Sequence, residues 1–124
     1  MYHPYKTSNF RIKGLKSPPL ADTRYRIGDI VFAHHVEFEG NAGSKARPIL
    51  YLGCDGNSVR YMKCTTVQSD RAPQVPVGDP ISAGLEKNTY IIPVVKHIDR
   101  SNLKYRLGHL CKEDLEYLQE NITN

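Results

Sequence analysis

Residues 45–53 constrain the fold of this chain more than any other stretch. Pro48 has no amide hydrogen and a fixed φ angle, so it belongs at the first residue of a strand or on a sheet edge. It also pushes Arg47 towards extended backbone. The apolar run that follows ends at Gly53, as a short strand does. The stretch therefore predicts Arg47 at the start of a strand, where functional groups often lie beside loops. A solvated arginine without a function fits the same pattern.

Short apolar runs separated by turn signals recur along the chain. Alternation in residues 59–66 puts Val59 and Tyr61 on one face of a strand and Met62 and Cys64 on the other. Asp-Gly at 55–56 is a hairpin signal. Strands are predicted at 24–33, 49–53, 59–66, 74–77 and 89–95, with a long polar loop at 34–46 and a polar, basic segment at 96–106.

The last element is predicted to be a helix at 112–122, with Leu115, Leu118 and Ile122 on one face. Acidic residues in its first turn suit the helix dipole. Several short strands and one helix favour a mostly β (α+β) fold, a small barrel with a C-terminal helix.

The length of 124 residues suits one domain. Residues 24–124 are assigned to that domain and residues 1–23 to an N-terminal extension, which is basic, aromatic and interrupted by prolines. Such an extension can stay disordered, drape over the domain or contact single-stranded nucleic acid. The net charge of +4 fits a polyanionic partner and equally a well-solvated surface.

The chain has 3 cysteines, Cys54, Cys64 and Cys111, and no Cys-x-x-Cys spacing. An odd number without that spacing argues against a disulfide framework or a zinc site and for a reducing, cytoplasmic location. Each cysteine accompanies an apolar pattern, which predicts buried thiols. The longest apolar run, 90–95, is far too short to cross a bilayer, so no membrane association is expected. No cofactor and no metal are predicted.

The order of several short motifs resembles the MazF/PemK family of toxin–antitoxin ribonucleases. The resemblance covers residues 24 to about 118, and although each motif is weak alone, their order and spacing together are specific. The motifs are Arg26-Ile27-Gly28-Asp29-Ile30-Val31, Arg47-Pro48-Ile49-Leu50, Cys64-Thr65-Thr66-Val67-Gln68, Gly84-Leu85-Glu86-Lys87-Asn88-Thr89-Tyr90-Ile91, Ile98-Asp99-Arg100-Ser101-Asn102-Leu103 and Leu107-Gly108-His109-Leu110.

The resemblance implies an SH3-like barrel, a homodimer and ribosome-independent, sequence-specific cleavage of single-stranded RNA, including mRNA. It also implies neutralisation by a cognate antitoxin that occupies the RNA groove. Arg47 matches the family's catalytic arginine and Thr66 its active-site threonine. Ala42 stands where the family often has an acidic residue, Ala46 where some members have histidine, and residues 93–97 replace a further family motif. The general base is therefore left open.

Cleavage of RNA by its own 2′-OH needs charge stabilisation at the phosphate and groups that move protons. The guanidinium of Arg47 suits the first task, because it is always charged and makes forked hydrogen bonds to phosphate. Thr66 can donate to the same phosphate, although a strand threonine with an idle hydroxyl explains it equally well. His34, His35 and Glu39 are the candidates for proton transfer.

Contacts with RNA beyond the cleaved phosphate are assigned to basic and polar residues. Thr65 and Gln68 are expected to contact RNA, and Phe38 can stack on a base, whereas Tyr61 is assigned to the core and His97 and His109 to structural or rim positions. The basic residues that can line a phosphate track are Lys45, Lys63, Lys96, Arg100, Lys104 and Arg106.

The alternative to an enzyme is a non-catalytic SH3-like module that binds nucleic acid or protein. Arg47 and Thr66 favour catalysis, because a binding module does not need this pair. The alanine at position 42 and the altered segment at 96–97 favour the binding module or a different route for protons.

Overall fold

The computed structural model describes residues 24–38 and 42–122. Its sheet has 7 strands, all paired antiparallel in the order β4-β5-β3-β2-β1-β7, with β6 also paired to β3. One 3₁₀ turn, Arg100–Asn102, links β6 to β7. The elements are β1 (Asp29–Glu37), β2 (Ser44–Asp55), β3 (Ser58–Thr65), β4 (Val75–Pro76), β5 (Tyr90–Ile91), β6 (Lys96–Asp99), β7 (Leu103–His109) and α1 (Lys112–Glu120).

The predicted fold class, a mostly antiparallel sheet with one C-terminal helix, is confirmed. The sheet is not closed. β6 pairs with β3 and β7 pairs with β1, but no ladder joins β6 to β7 among the described strands. The predicted barrel is therefore open at this seam, where the 3₁₀ turn connects β6 to β7.

Apolar side chains pack on both faces of the central sheet. The helix face carries residues that pack with Leu115 and Leu118 of α1, and the other face, here the tyrosine face, is built around Tyr51 and Tyr61. The alternation predicted for β3 is confirmed, because it supplies residues to both cores. The helix face includes Ile30, Leu50, Leu52, Met62 and Cys64, and the tyrosine face includes Tyr25, Val31, Ile49, Tyr51, Val59, Tyr61 and Ile98.

The long loop predicted at 34–46 is wrong. β1 continues to Glu37 and β2 begins at Ser44, so most of these polar residues lie in paired strands. His34 and His35 occupy a bulge where the β1–β2 register shifts. A bulge accepts exposed polar residues inside a strand, which is why composition alone indicated a loop.

The sequence predicted Pro48 either at the first residue of a strand or on a sheet edge. It is not the first residue, because β2 begins at Ser44. It pairs with Phe32 of β1, whereas the ladder between β2 and β3 begins only at the pair Ile49–Lys63. Residues 44–48 thus pair with β1 alone among the described strands. A proline there leaves no bond to β3 unmade, so its position on a free edge agrees with its chemistry.

The polar segment at 96–106 contains β6 and the first part of β7, which the sequence did not predict as strands. Ile98 is buried between the exposed His97 and Asp99, so the alternation of a strand is present but short and highly charged. Conversely, the strand predicted at 89–95 shrinks to Tyr90–Ile91.

The C-terminal helix is confirmed at Lys112–Glu120, with Leu115 and Leu118 buried as predicted. Its first turn also binds a loop, because the Asp114 carboxylate accepts hydrogen bonds from the amides of Gly78 (2.8 Å) and Asp79 (3.0 Å). The helix is therefore held by its first turn as well as by its apolar face.

Two glycines from separate motifs meet each other. Gly84 has φ +80°, and a Cβ there would collide with the carbonyl of Leu107, while a Cβ on Gly108 would collide with the carbonyl of Ala83. Only glycine lets two backbones approach this closely. The turn before β5 is thereby packed directly on β7.

Asp29 joins the start of β1 to β7. Its side chain is 1% exposed and accepts hydrogen bonds from the Arg26 amide (2.9 Å), Arg106 Nε (3.1 Å) and His109 Nδ1 (2.8 Å). Burial raises the pKa of the Asp29 carboxyl, but the bonds from His109, Arg26 and Arg106 outweigh it and leave the pKa below its usual value. His109 is structural, as predicted.

We expect Asp29→Asn to destabilise the fold by about 3 kcal/mol at pH 7, because it removes the charge from a buried hydrogen-bonded carboxylate. The melting temperature should fall by roughly 10 °C. The lowered pKa of Asp29 stabilises the folded state above about pH 4. This stabilisation is lost as the pH falls through the pKa that Asp29 has in the folded protein. Thermal unfolding at pH 7 and pH 3 measures both effects, with the exposed Asp55→Asn as control. An equal difference in melting temperature between wild type and Asp29→Asn at the two pH values would contradict this explanation.

Candidate functional site

Arg47 lies on the part of β2 that has no β3 partner, at one end of the tyrosine face. Its cross-strand partner is Ala33, and its guanidinium carbon lies 6.0 Å from the centroid of the Phe38 ring. Phe38 is fixed at the mouth of the β1–β2 connection by a 3.1 Å hydrogen bond from its amide to the carbonyl of Gly43. A half-buried cation beside an aromatic ring is thus held on a strand at the rim of the sheet.

Lys63 is a second cation on the same face. It pairs with Ile49, two residues from Arg47 along β2, and alternate residues of a strand share a face. Only 4% of Lys63 is exposed, and its Nζ donates to the carbonyl of Glu37 at 3.2 Å. The prediction that Lys63 lines an exposed phosphate track is therefore wrong. Its ammonium instead secures the end of β1 and adds positive charge behind Arg47.

The two candidate threonines differ in their relation to Arg47. The β2–β3 ladder begins at the Ile49–Lys63 pair, and Thr65 pairs instead with Tyr90 of β5, but alternation along β3 puts Thr65 on the same face as Lys63 and Arg47. The Thr65 hydroxyl accepts a hydrogen bond from the Val67 amide at 3.1 Å. Thr66 follows the end of β3 and is exposed. Thr65 thus shares a face of the sheet with Arg47 on the neighbouring strand.

The loop after β3 is braced by a residue that sequence reasoning missed. The Gln74 side chain accepts a hydrogen bond from the Ser69 amide (3.0 Å) and donates one to the carbonyl of Val67 (2.9 Å). Gln68, a predicted RNA contact, is exposed between these two anchored residues. A single glutamine beside a proline gives no sequence signal for such a role.

The predicted proton-transfer residues stand at the β1 bulge and just beyond it. His34 and His35 are both exposed, and His35 has a φ of 60°. Bulges redirect side chains and are common beside active sites. Glu39 lies outside the described residues.

The other predicted RNA contacts do not all meet at Arg47. Lys45 is exposed two residues before Arg47 in β2, and Lys96 pairs with Tyr61, so both occupy the tyrosine face. The amide of Arg100 donates to Asn57 in the β2–β3 hairpin (2.8 Å). That hairpin is at the far end of β3, about 25 Å from Thr65 at the rise of a strand. Arg100 is therefore not part of the cluster around Arg47.

The predicted burial of the cysteines holds for Cys54 and Cys64 and is wrong for Cys111, which is partly exposed at the start of α1. Burial raises the pKa of the Cys64 thiol to about 12, although the nearby charge of Arg47 lowers it in part. Cys64 is thus a neutral thiol behind the site.

Within residues 24–38 and 42–122, no group of three or more His, Cys, Asp or Glu side chains is placed to hold a metal ion. The one α-helix of the same ranges is too short and too polar to span a bilayer.

Solved structures of MazF proteins have a fold similar to that of this chain. The Mycobacterium tuberculosis toxin MazF-mt6 is 24% identical with a TM-score of 0.57, and the match covers 76% of this chain and 91% of that one. MazF from Deinococcus radiodurans is 16% identical with a TM-score of 0.61, covering 82% and 94%. No family model and no curated protein sequence matches this chain. At these identities the likeness establishes the fold.

Proposed function

We propose that this chain, which has the fold of the MazF toxins, is an endoribonuclease toxin of a type II toxin–antitoxin system. Its substrate is single-stranded RNA, such as mRNA, cut at specific sequences without the ribosome. The observation that carries the proposal is the placement of Arg47, a half-buried cation on a rigid strand, beside Phe38 at the open rim of the sheet and on the same face as Thr65. The MazF fold supports the reaction class, and these side chains supply its chemistry.

In the proposed reaction the RNA supplies its own nucleophile. The 2′-oxygen forms a bond to the adjacent phosphorus as its proton leaves, and the bond from phosphorus to the 5′-oxygen breaks as that oxygen gains a proton. The products are a 2′,3′-cyclic phosphate and a 5′-OH. Arg47 binds the phosphoryl oxygens where negative charge accumulates, the position at which preorganised donors accelerate reactions most.

Proton transfer is assigned to the region of the β1 bulge. His34 and His35 are the described candidates there, next to the rim and on the opposite face of the strands from Arg47, and Glu39 follows in the same connection. Imidazole exchanges protons near neutral pH, which suits either the removal of the 2′ proton or its return to the leaving oxygen. Single substitutions of each, with the pH profile of kcat as the readout, identify which of them acts.

We assign the hydroxyl of Thr65 as the second hydrogen-bond donor to the phosphate. An assay of RNA cleavage by the purified protein tests both this role and the proposed function. A hydroxyl that accepts one hydrogen bond can still donate its own proton, so Thr65 can hold the Val67 amide and the phosphate at once. We expect wild type to cut single-stranded RNA, Thr65→Val to cut it about 100-fold more slowly, and Thr65→Ser to retain most activity.

Thr66→Val is the matched control for this experiment, because it replaces the same hydroxyl by a methyl group at the next residue. Loss of activity in Thr66→Val alone shifts the role to Thr66, the residue that the family resemblance indicates. A wild-type protein that binds RNA without cutting it contradicts the enzyme and favours the non-catalytic module.

A homodimer, a cognate antitoxin that covers the RNA groove and a cytoplasmic location belong to the same proposal. β7 lies at one end of the strand order, and a free strand edge is a common site of association. Light scattering should give a mass of about 28 kDa, twice the chain mass of 14.1 kDa. A mass near that of one chain at micromolar concentration contradicts the dimer.

A further inference from the structure

Four aromatic rings follow one another across β7 and β1. Tyr105 stacks on Phe32 with ring centroids 5.3 Å apart and planes 17° apart. The His34 ring meets Phe32 edge-on at 5.9 Å, and His35 meets His34 edge-on at 6.3 Å. These residues, here called the ring row, make a continuous series of contacts from the edge of the sheet to the β1 bulge.

The ring row belongs to neither core. Tyr105 is 54% exposed, both histidines are exposed, and Phe32 is half-buried. With one face of its ring against Phe32, Tyr105 is left with a large area of ring open to solvent. Contiguous exposed aromatic area of this kind marks a surface that binds something.

The backbone is strained where it turns both histidines outward. His35 is the sole non-glycine residue with a positive φ in the described part of the chain, at 60°. This conformation is uncommon for side chains with a Cβ and is found more often at binding sites than elsewhere. The β1–β2 register shifts at the same place. Without that shift the strand alternation would turn one of the two imidazoles away from the surface.

The ring row begins beside the candidate active site. Ala33 pairs with Arg47 and Phe32 pairs with Pro48, so the ring row and Arg47 lie on adjacent residue pairs and on opposite faces of the same two strands. The bulge lies between them at the rim. A flexible polymer held at Arg47 and passing over the bulge therefore reaches the rings next.

The charges around the ring row favour a polyanion. Lys104 precedes Tyr105 in the edge strand and is exposed, whereas Arg106 pairs with Val31 of the tyrosine face and its Nε is bonded to Asp29. A cation next to exposed rings is what single-stranded nucleic acid requires, since the rings stack on bases and the cation meets a phosphate.

We propose that the ring row is a stacking platform for unpaired bases of single-stranded RNA next to the cleaved bond. This inference rests on the proposed function, because that function brings the RNA to Arg47. Tyr105 takes the first base on its open ring face, and His34 takes a base nearer to the bulge. Loss of one such stacking contact should weaken binding by about 5- to 150-fold.

Binding of an RNA that cannot be cut isolates the ring row from catalysis. The probe is a single-stranded oligonucleotide with a 2′-O-methyl group on every ribose, compared with an abasic version that keeps the phosphates. We expect Tyr105→Leu to weaken binding of the methylated RNA about tenfold and to leave binding of the abasic strand unchanged. Tyr117→Leu is the matched control, because Tyr117 is a similarly exposed tyrosine (46%) on α1.

A fluorescence experiment reports the stacking directly. The chain has no tryptophan, so Tyr105→Trp and Tyr117→Trp each carry a single indole. The methylated RNA should quench the emission of Tyr105→Trp, whereas the abasic strand should not, and neither should quench Tyr117→Trp.

Wild-type affinity in Tyr105→Leu, or no quenching of Tyr105→Trp, overturns the ring-row proposal even when natural RNA is cleaved. Quenching with no cleavage of natural RNA by wild type supports the platform and overturns the proposed function instead. A light-scattering mass that falls from dimer to monomer in Tyr105→Leu, but not in Tyr117→Leu, overturns the proposal by assigning the rings to a second copy of the chain.

Discussion

Replacing Arg47 by alanine should slow RNA cleavage by about 100- to 1000-fold, the usual effect of removing a preorganised donor from a developing oxyanion. The effect should be large because the strand and the neighbouring Phe38 ring hold the guanidinium in place before the substrate arrives. The loss should appear in kcat, since the charge on the phosphoryl oxygens grows only as the reaction proceeds. The melting temperature should change little, because Arg47 lies at the rim and outside both cores.

Two further variants show what causes the loss of cleavage in Arg47→Ala. Arg47→Lys keeps the charge but loses the planar fork, so it should recover only part of the rate. Arg60→Ala removes a half-buried arginine from the helix face of β3 and should leave cleavage unchanged. Cleavage by Arg47→Ala at the wild-type rate would remove Arg47 from the mechanism.

Much of the fold could be predicted because period-two and helical patterns are local. Residues 59–66 alternate cleanly, and their two faces enter two different cores as predicted. Leu115 and Leu118 recur at helical spacing and are buried on α1. Each of these patterns involves residues that are close together in the chain, so it can be recognised from the sequence alone.

The relations that build the site are not local. Thr65 and Arg47 share a face of the sheet only because β2 and β3 pair in one particular register, which the sequence does not state. Asp29 and His109 are 80 residues apart and meet because β1 and β7 pair. The bulge at His34 could not be predicted for a different reason. Exposed polar residues in a strand have the same amino-acid composition as a loop.

The second large effect concerns the substrate. Replacing the ribose before the cleaved bond by deoxyribose should abolish cleavage at that bond, because the 2′-oxygen is the nucleophile in the proposed reaction. Binding should change little, since one hydroxyl contributes a small share of the contacts made by phosphates and bases. EDTA should leave the rate unchanged, because attack by the 2′-oxygen needs no metal-bound hydroxide.

The most direct test is therefore a single-turnover assay with two RNA strands that differ in that one 2′-hydroxyl, each incubated with wild-type protein in EDTA. We predict that the all-ribose strand is cut to products with a 2′,3′-cyclic phosphate and a 5′-OH, while the deoxy-substituted strand binds and stays whole at that bond. Cleavage of the deoxy-substituted strand at the same bond, or cleavage that stops in EDTA and returns with magnesium, would contradict it.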